Sequence, residues 1–339
     1  MYKSAFLGCG GRARGHADAY RLVKNGKMVA ACDLNEERLN SFVKDFGIEK
    51  RYTDIHEMLE KERPDVLHIV TFPSLRVPLM TIASEHEVPV AIVEKPIAIQ
   101  GEDWKQLRDL NAKSKTKFIV NTQLHFHPRN LELKRDVASG RIGDIRFIDV
   151  SARSTILDQG VHVLELGHSY NNWSTPTQVF AQVSGAGNIP TIQPSPDTAE
   201  ASIYFENGVR AQMLCGYFAP KSNPDEGSCA HKRISVYGTK GFVQWTMFSW
   251  ERSTPDGGYE SGSHDYGEQD VLGQAGLTEA AYNWLETGKP HPTRLEHSLT
   301  QFNIILGAYV SVLNHVPVTL PFEPPDGLLD ALKAKLASK

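Results

Sequence analysis

The chain has 339 residues, 40% of them apolar and 22% charged, and a net charge of −4. That length exceeds one ordinary core, so two domains are expected, and the composition is that of a soluble globular protein. The mildly acidic balance argues against wrapping a polyanion, no run of about twenty apolar residues is present to cross a bilayer, and no charged-then-apolar leader precedes the first strand. A cytoplasmic protein without nucleic-acid or membrane partners is therefore expected. Cys9, Cys32, Cys215 and Cys229 show no C-x-x-C pair and no metal-ligand spacing. Cys9 and Cys32 read as small apolar filler.

The first element is the short apolar strand Ser4-Ala5-Phe6-Leu7, which runs into Gly8-Cys9-Gly10-Gly11-Arg12-Ala13 and a helix-forming stretch to about Val23. In a Gly-x-Gly-x-x-Ala turn, Gly8 allows the tight bend, Gly10 lets backbone approach a pyrophosphate, and Ala13 lets helix and strand pack closely. The helix start then offers N–H groups and a positive dipole end to phosphates. A second apolar strand, Met28 to Cys32, ends at Asp33, where an acid meets the adenosine ribose. Helices are expected over 36–46, 54–61, 75–87 and 101–114, alternating with the apolar runs 66–71, 90–93 and 117–120. Continuous apolar strands between helices indicate a parallel sheet covered on both faces. The expected first domain is a Rossmann-type, doubly wound α/β unit over 1–121.

From residue 122 the pattern changes. Strands are expected over 145–151, 178–183, 199–205, 209–214, 233–237 and 242–245, with the turns Glu206-Asn207-Gly208 and Gly238-Thr239-Lys240-Gly241 between neighbours. Strands that follow one another without helices form an open, largely antiparallel sheet, so 122–339 is expected to be an α+β substrate-binding and oligomerisation domain. The polar, Gly- and Pro-rich stretches 219–232 and 251–270 read as long loops, and helices return over 278–287 and 296–314.

Two clusters carry chemistry. Glu94-Lys95-Pro96 ends a parallel strand of the first domain, where ligands bind, and the proline extends the lysine backbone. The bland reading is a solvated lysine after a strand. The other cluster is Asp158-Gln159-Gly160-Val161-His162-Val163-Leu164-Glu165. If helical, it puts Asp158 and His162 at i and i+4 on one face, with Glu165 approximately on the same face. A carboxylate beside an imidazole builds a proton acceptor for neutral pH. The competing reading is a helix-start acid and a core histidine. A metal site from Asp158, His162 and His168 is disfavoured by the six-residue step to His168, and no metal is expected.

Together these segments resemble the Gfo/Idh/MocA family of nicotinamide-dependent sugar oxidoreductases, nearly end to end. The resemblance rests on Gly8-Cys9-Gly10-Gly11, Glu94-Lys95-Pro96, Gly140-Arg141-Ile142-Gly143-Asp144-Ile145, the Asp158-x-Gly160-x-His162 stretch and Tyr237-Gly238-Thr239-Lys240-Gly241. It implies that Lys95, Asp158 and His162 meet at the nicotinamide as catalytic and substrate-binding residues in oxidation of a secondary hydroxyl of a sugar, glycoside or cyclic polyol. Either His162 or Lys95 is then the base. The same fold hosts NAD-dependent glycosidases working by transient oxidation and elimination, and non-catalytic nucleotide sensors, which stand as alternatives. Departures from the family pattern lie at Thr71-Phe72-Pro73-Ser74-Leu75-Arg76, His86-Glu87-Val88-Pro89, the 121–127 stretch, and Glu165, where an aspartate is common.

The expected cofactor is NAD, with NADP possible: Asp33 would bond a ribose hydroxyl and repel a 2′-phosphate, while Arg38 softens that preference. Expected cofactor contacts are Gly8, Gly10, Gly11, Arg12, Ala13, Asp33, Arg38, Thr71, Glu94 and Lys95, with Arg14 adding charge near the phosphates. His125 is the expected additional sugar contact; His127, Arg153, Asn171, Asn172 and Trp173 are weaker ones. The outer face of the second sheet has too few helices left to cover it, so a homo-oligomer, dimer or tetramer, is expected.

Overall fold

The computed structural model describes residues 1–223, 227 and 230–337. The chain divides into two compact units that each draw on separate stretches of sequence. The first comprises Met1–Ala98, Lys105–Phe126 and Asp270–Ser298; the second comprises Ile99–Trp104, His127–Gln269 and the chain from Leu299 onward.

In chain order the early elements are β1 (Tyr2–Leu7), α1 (Gly11–Asp18), β2 (Gly26–Cys32), α2 (Glu36–Phe46), β3 (Lys50–Tyr52), α3 (Ile55–Glu62), β4 (Val66–Ile69), α4 (Arg76–Glu85), β5 (Val90–Glu94), α5 (Gly101–Lys113) and β6 (Lys117–Asn121). The six strands form a wholly parallel sheet in the order β3-β2-β1-β4-β5-β6. The winding direction changes between β1 and β4, which makes their carboxyl ends the expected ligand crevice. Helix starts follow capping chemistry: the Asn35 side chain accepts from the Arg38 N–H, and Asp54 accepts from His56 and Glu57. The first helix is shorter than its composition suggests, ending at Asp18 and continuing as a 3-10 turn over Ala19–Arg21.

The later elements are α6 (Pro128–Ala138), β7 (Ile145–Ala152), a π-helical turn (Ile156–Gly160), α7 (Val161–Tyr170), β8 (Pro176–Ser184), β9 (Thr198–Phe205), β10 (Arg210–Cys215), β11 (Lys232–Gly238), β12 (Phe242–Thr246), β13 (Ser249–Thr254), β14 (Gly258–Ser263), α8 (Tyr266–Thr287), α9 (Leu295–Asn314), β15 (Val318–Thr319) and α10 (Leu328–Ala337). The second sheet has nine strands in the order β14-β13-β12-β11-β7-β10-β9-β8-β15. Every pairing is antiparallel except β7 with β10.

The stretch 251–270 is a correction. It holds the end of β13, all of β14 and the start of α8 rather than a loop. Its strands are partly exposed on both faces, so they lack the apolar alternation that marks a half-buried strand. Of the other expected loop, 224–226 and 228–229 lie outside the described residues, and so does Cys229.

The single sheet of the first unit is covered on both sides, every residue of β4 and β5 being buried. Phe6, Cys9, Ala13, Ala31, Leu39 and Phe42 form one core layer with α1 and α2. On the same face, over the neighbouring strands, Val66, Val90, Ile92 and Ile119 pack against Leu277, Ala281 and Tyr282, which come from α8, far along the chain. In the second unit α7 lies so close to β7 that a Cβ on Gly167 would stand 2.7 Å from Val150. The other face of that sheet carries, in one register row, Tyr204, Arg210, Phe147, Tyr237 and Phe242.

Candidate active site

In the first unit the turn after β1 is built for close backbone approach. Gly8 has φ +88°, and a Cβ there would lie 2.2 Å from the Val70 carbonyl oxygen. A side chain at Gly10 or Gly11 would meet no heavy atom within 4 Å, so the space before the α1 N-terminus is open. Gly10 caps α1 without any side-chain bond to its first N–H groups. Ala13 is fully buried against Phe6. Open space, uncapped N–H groups and a positive dipole end suit a dinucleotide pyrophosphate.

Asp33 follows β2. Its carboxylate accepts from the N–H groups of Cys9 (2.8 Å) and Asn35 (2.9 Å) and pairs with Arg38 Nε at 3.1 Å. Arg12 and Arg14 point to protein carboxylates: Arg12 Nε donates to Glu94 at 2.9 Å, and Arg14 donates to Asp45 at 2.7 Å. Burial, with Asp33 nearby, pushes the thiols of Cys9 and Cys32 up to about 12, so both behave as inert filler.

Glu94, the last residue of β5, is 5% exposed, and its Oε1 is the acceptor for three groups. Arg12 Nε lies at 2.9 Å, His16 Nε2 at 2.8 Å and Asn121 Nδ2 at 2.7 Å. Asn121 in turn accepts from Gln274 Nε2 at 2.9 Å. Burial alone would raise the Glu94 carboxyl, but Arg12, the His16 bond and the nearby Lys95 together hold it well below the usual carboxylate range. Lys95 follows, joined to Pro96 by a cis peptide bond.

The carbonyl of Glu94 is fixed by Arg76, whose Nε donates to it at 2.8 Å while Nη1 donates to Thr71 Oγ1 at 3.0 Å. Arg76 is 1% exposed, and burial lowers its guanidinium to about 10 against the pull of Glu94. His125, 5% exposed, sits in the 3-10 turn Gln123–Phe126 with its ring against Phe126.

In the second unit Asp158 lies in the π-helical turn, and His162 lies in the first turn of α7, which begins at Val161. The two are therefore not on consecutive turns of one α-helix, the difference arising from the wider π spacing. Thr155 caps the turn, its Oγ1 accepting from the Asp158 N–H. The Asp158 carboxylate accepts from Ser154 Oγ at 2.6 Å and Gln159 Nε2 at 3.0 Å, and Lys232 Nζ donates to Gln159 Oε1 at 3.0 Å. His162 is 5% exposed. Glu165 is wholly buried: desolvation raises its carboxyl, while Lys134 on α6 and His168 pull it down.

The weaker sugar candidates are engaged in local structure. Arg153 donates to the Ala219 carbonyl at 2.9 Å, Asn171 accepts from Asn207 at 2.8 Å, and Asn172 and Trp173 have left-handed φ of 50° and 59° in the turn ending α7. His127 caps α6, its ring against Trp245 and Tyr266.

Sequence reasoning missed His16, Arg76, Asn121 and Gln274 around Glu94, and Ser154, Gln159 and Lys232 around Asp158. Arg76 and Asn121 stood in stretches already marked as departing from the family pattern. Gln159 and Ser154 lay beside a marked acid. The others are brought in by chain far away in sequence.

The model of the GFO_IDH_MocA oxidoreductase family with NAD-binding Rossmann fold matches residues 2–122, and the GFO/IDH/MocA C-terminal domain matches residues 152–244. A D-apiose dehydrogenase of Paraburkholderia graminis is 26% identical over 233 residues, which is 64% of this chain and 60% of that protein. The match thus spans about three fifths of that relative's length. A myo-inositol 2-dehydrogenase of Thermotoga maritima is 21% identical over 256 residues, covering 67% of this chain and 70% of that one. Among solved structures, an oxidoreductase from Agrobacterium radiobacter in complex with NAD+, L-tartaric acid and magnesium superposes with a TM-score of 0.80 at 22% identity, covering 94% of this chain and 98% of that one. At that identity the likeness is one of fold.

Proposed function

Since the chain belongs to the GFO/IDH/MocA oxidoreductase family, with residues 2–122 as its NAD-binding Rossmann domain, we propose that it is an NAD-dependent dehydrogenase oxidising a secondary hydroxyl of a sugar or cyclic polyol. The observation that carries this reading is the ionised Glu94, held by Arg12, His16 and Asn121, immediately before Lys95 at the end of a parallel strand. A glycine turn open to a pyrophosphate supports it from the cofactor side.

The turn of Gly8, Gly10 and Gly11 and the Asp33 carboxylate hold the dinucleotide, which when bound supplies the hydride acceptor. His162 takes the hydroxyl proton, imidazole being the side chain most often used for that transfer. Asp158, itself oriented by Ser154 and Gln159, stabilises the imidazolium. Lys95 donates a hydrogen bond to the reacting oxygen and stabilises alkoxide charge as it develops.

A panel of free sugars, glycosides and inositols scored for NADH formation tests the reading, with D-apiose and myo-inositol as first probes. Among responding compounds, His162→Ala and Lys95→Met should each lower kcat by about 10²- to 10⁴-fold. A panel without any NADH formation, or wild-type kcat in His162→Ala, would overturn it. The protein also self-associates through the outer face of its second sheet, where Phe147, Tyr237 and Phe242 stand in one row with Arg210 over Tyr204. Phe147→Glu should convert the oligomer to monomer by light scattering.

A further inference from the structure

The first unit contains a buried line of polar groups for which the proposed reaction has no use. From Glu94 Oε1 it runs to His16 Nε2 (2.8 Å), from His16 Nδ1 to His68 Nδ1 (3.1 Å), from His68 Nε2 to the Tyr20 hydroxyl (2.8 Å), then to the Tyr282 hydroxyl (3.2 Å) and Ser4 Oγ (2.8 Å). Ser4, His16 and His68 are 0% exposed. They come from β1, α1 and β4, so three separate segments are threaded by one chain of bonds.

Its proton positions follow by elimination. A carboxylate only accepts, so His16 presents Nε2–H to Glu94 and keeps a lone pair on Nδ1. That lone pair needs a donor, which makes His68 the Nδ1–H tautomer. His68 Nε2 then accepts, and Tyr20 must donate to it. The Tyr20 oxygen is left to accept from Tyr282, and Tyr282 from Ser4. Asn121 Nδ2, 3.0 Å from His16 Nε2, is a second donor converging on the same carboxylate. Burial holds both imidazoles below their ordinary value, as neutral rings in a one-way chain require.

We propose that Tyr20 and His68 are positioning residues: they complete a one-way hydrogen-bond chain that keeps His16 in the tautomer donating to Glu94, and through it hold in place the carboxylate that precedes Lys95. This rests on the reading that Lys95 serves the reaction. Remove the Tyr20 hydroxyl and His68 Nε2 is a buried acceptor without its donor, so the bond that selected the Nδ1–H tautomer of His68 is gone. Where His68 then takes the Nε2–H form, the Nδ1–H that His16 depends on is absent, and His16 either turns or takes up a proton. The charged groups that face it are Glu94, Arg12 and Asp270, and those facing Glu94 are Arg12, His16, Lys95 and Arg76. A charged His16 would cancel the Glu94 charge felt at Lys95.

The test uses the full-length protein and two readouts. Long-range ¹H–¹⁵N spectra of the histidine rings need no substrate. In the wild type they should show His16 as Nε2–H and His68 as Nδ1–H, both staying neutral through the ordinary imidazole value of about 6.5. Tyr20→Phe keeps the ring that packs edge-on against Phe6 at 5.9 Å. It should mix the tautomers or make His16 titrate, lower kcat about tenfold with KM for NAD+ unchanged, and add an acid limb to the pH profile. Wild-type spectra with His16 as Nδ1–H, or Tyr20→Phe with unaltered spectra, kcat and pH profile, would sink the proposal. Lys95→Met separates it from the reading beneath it. Full activity in Lys95→Met, with His16 still perturbed in Tyr20→Phe, removes the role of Lys95 and leaves the chain standing.

Discussion

Asp33 shows how much one side chain at the end of β2 is asked to do. It accepts two backbone N–H groups, from Cys9 and Asn35, and carries the Arg38 ion pair. Removing only its charge is therefore more informative than removing the side chain. Asp33→Asn should raise KM for NAD+ by about tenfold, the scale of one hydrogen bond to a charged group, and narrow the preference over NADP. A wild-type protein preferring NADP tenfold would contradict the assignment of Asp33. Gly8 makes a separate point about backbone. With φ +88° and the Val70 carbonyl oxygen 2.2 Å from any added Cβ, Gly8→Ala should cost at least about 1–3 kcal/mol in urea unfolding. Both residues were legible in the sequence, because a glycine turn and a strand-ending acid are local features. Arg76 and Gln274 were not: each acquires meaning only from a partner that the fold supplies.

At the scale of elements, the deciding contact is α8 against the parallel sheet. Leu277 and Ala281 are 0% exposed there, and Tyr282 is 1% exposed. Leu277→Ala should lower unfolding free energy by about 2–5 kcal/mol, the range for an unrelaxed core truncation. A loss under about 1 kcal/mol would show that the helix is not integral to that core. The parallel strands were readable because every residue of β4 and β5 is buried, which leaves near-continuous apolar runs broken only by His68 and the terminal Glu94. The π-helical turn before α7 and the β13–β14 hairpin were not readable. The first depends on a local widening of the helix, and the second on strands that bury neither face well. Helix 278–287 was expected from its own pattern, yet nothing in that pattern named the sheet it covers.

For the whole molecule, pH links stability to buried rings. His16, His68 and His291 are fully buried, and burial lowers each imidazole, His291 to about 3. The unfolded chain titrates these rings near about 6.5, so below that pH it binds protons that the folded protein refuses. Their contribution is complete above about 6.5 and falls away with acid, down to about 3 for His291, by up to about 4 kcal/mol per pH unit for three rings together. Urea midpoints from about pH 7.5 to 5 should decline accordingly, and a flat profile would mean that these rings are not neutral in the folded state. By itself the sequence determined the two sheet types, the glycine turn with the acid that ends β2, and the two segments that carry Lys95 and Asp158 with His162, because period, turn chemistry and motif spacing act over a few residues. The tertiary structure alone decided that α8 closes the first sheet, that three donors converge on Glu94, and that Tyr20, His68 and His16 form one chain. Those are contacts between segments tens to hundreds of residues apart, and no local preference encodes which distant partner a buried polar group will find.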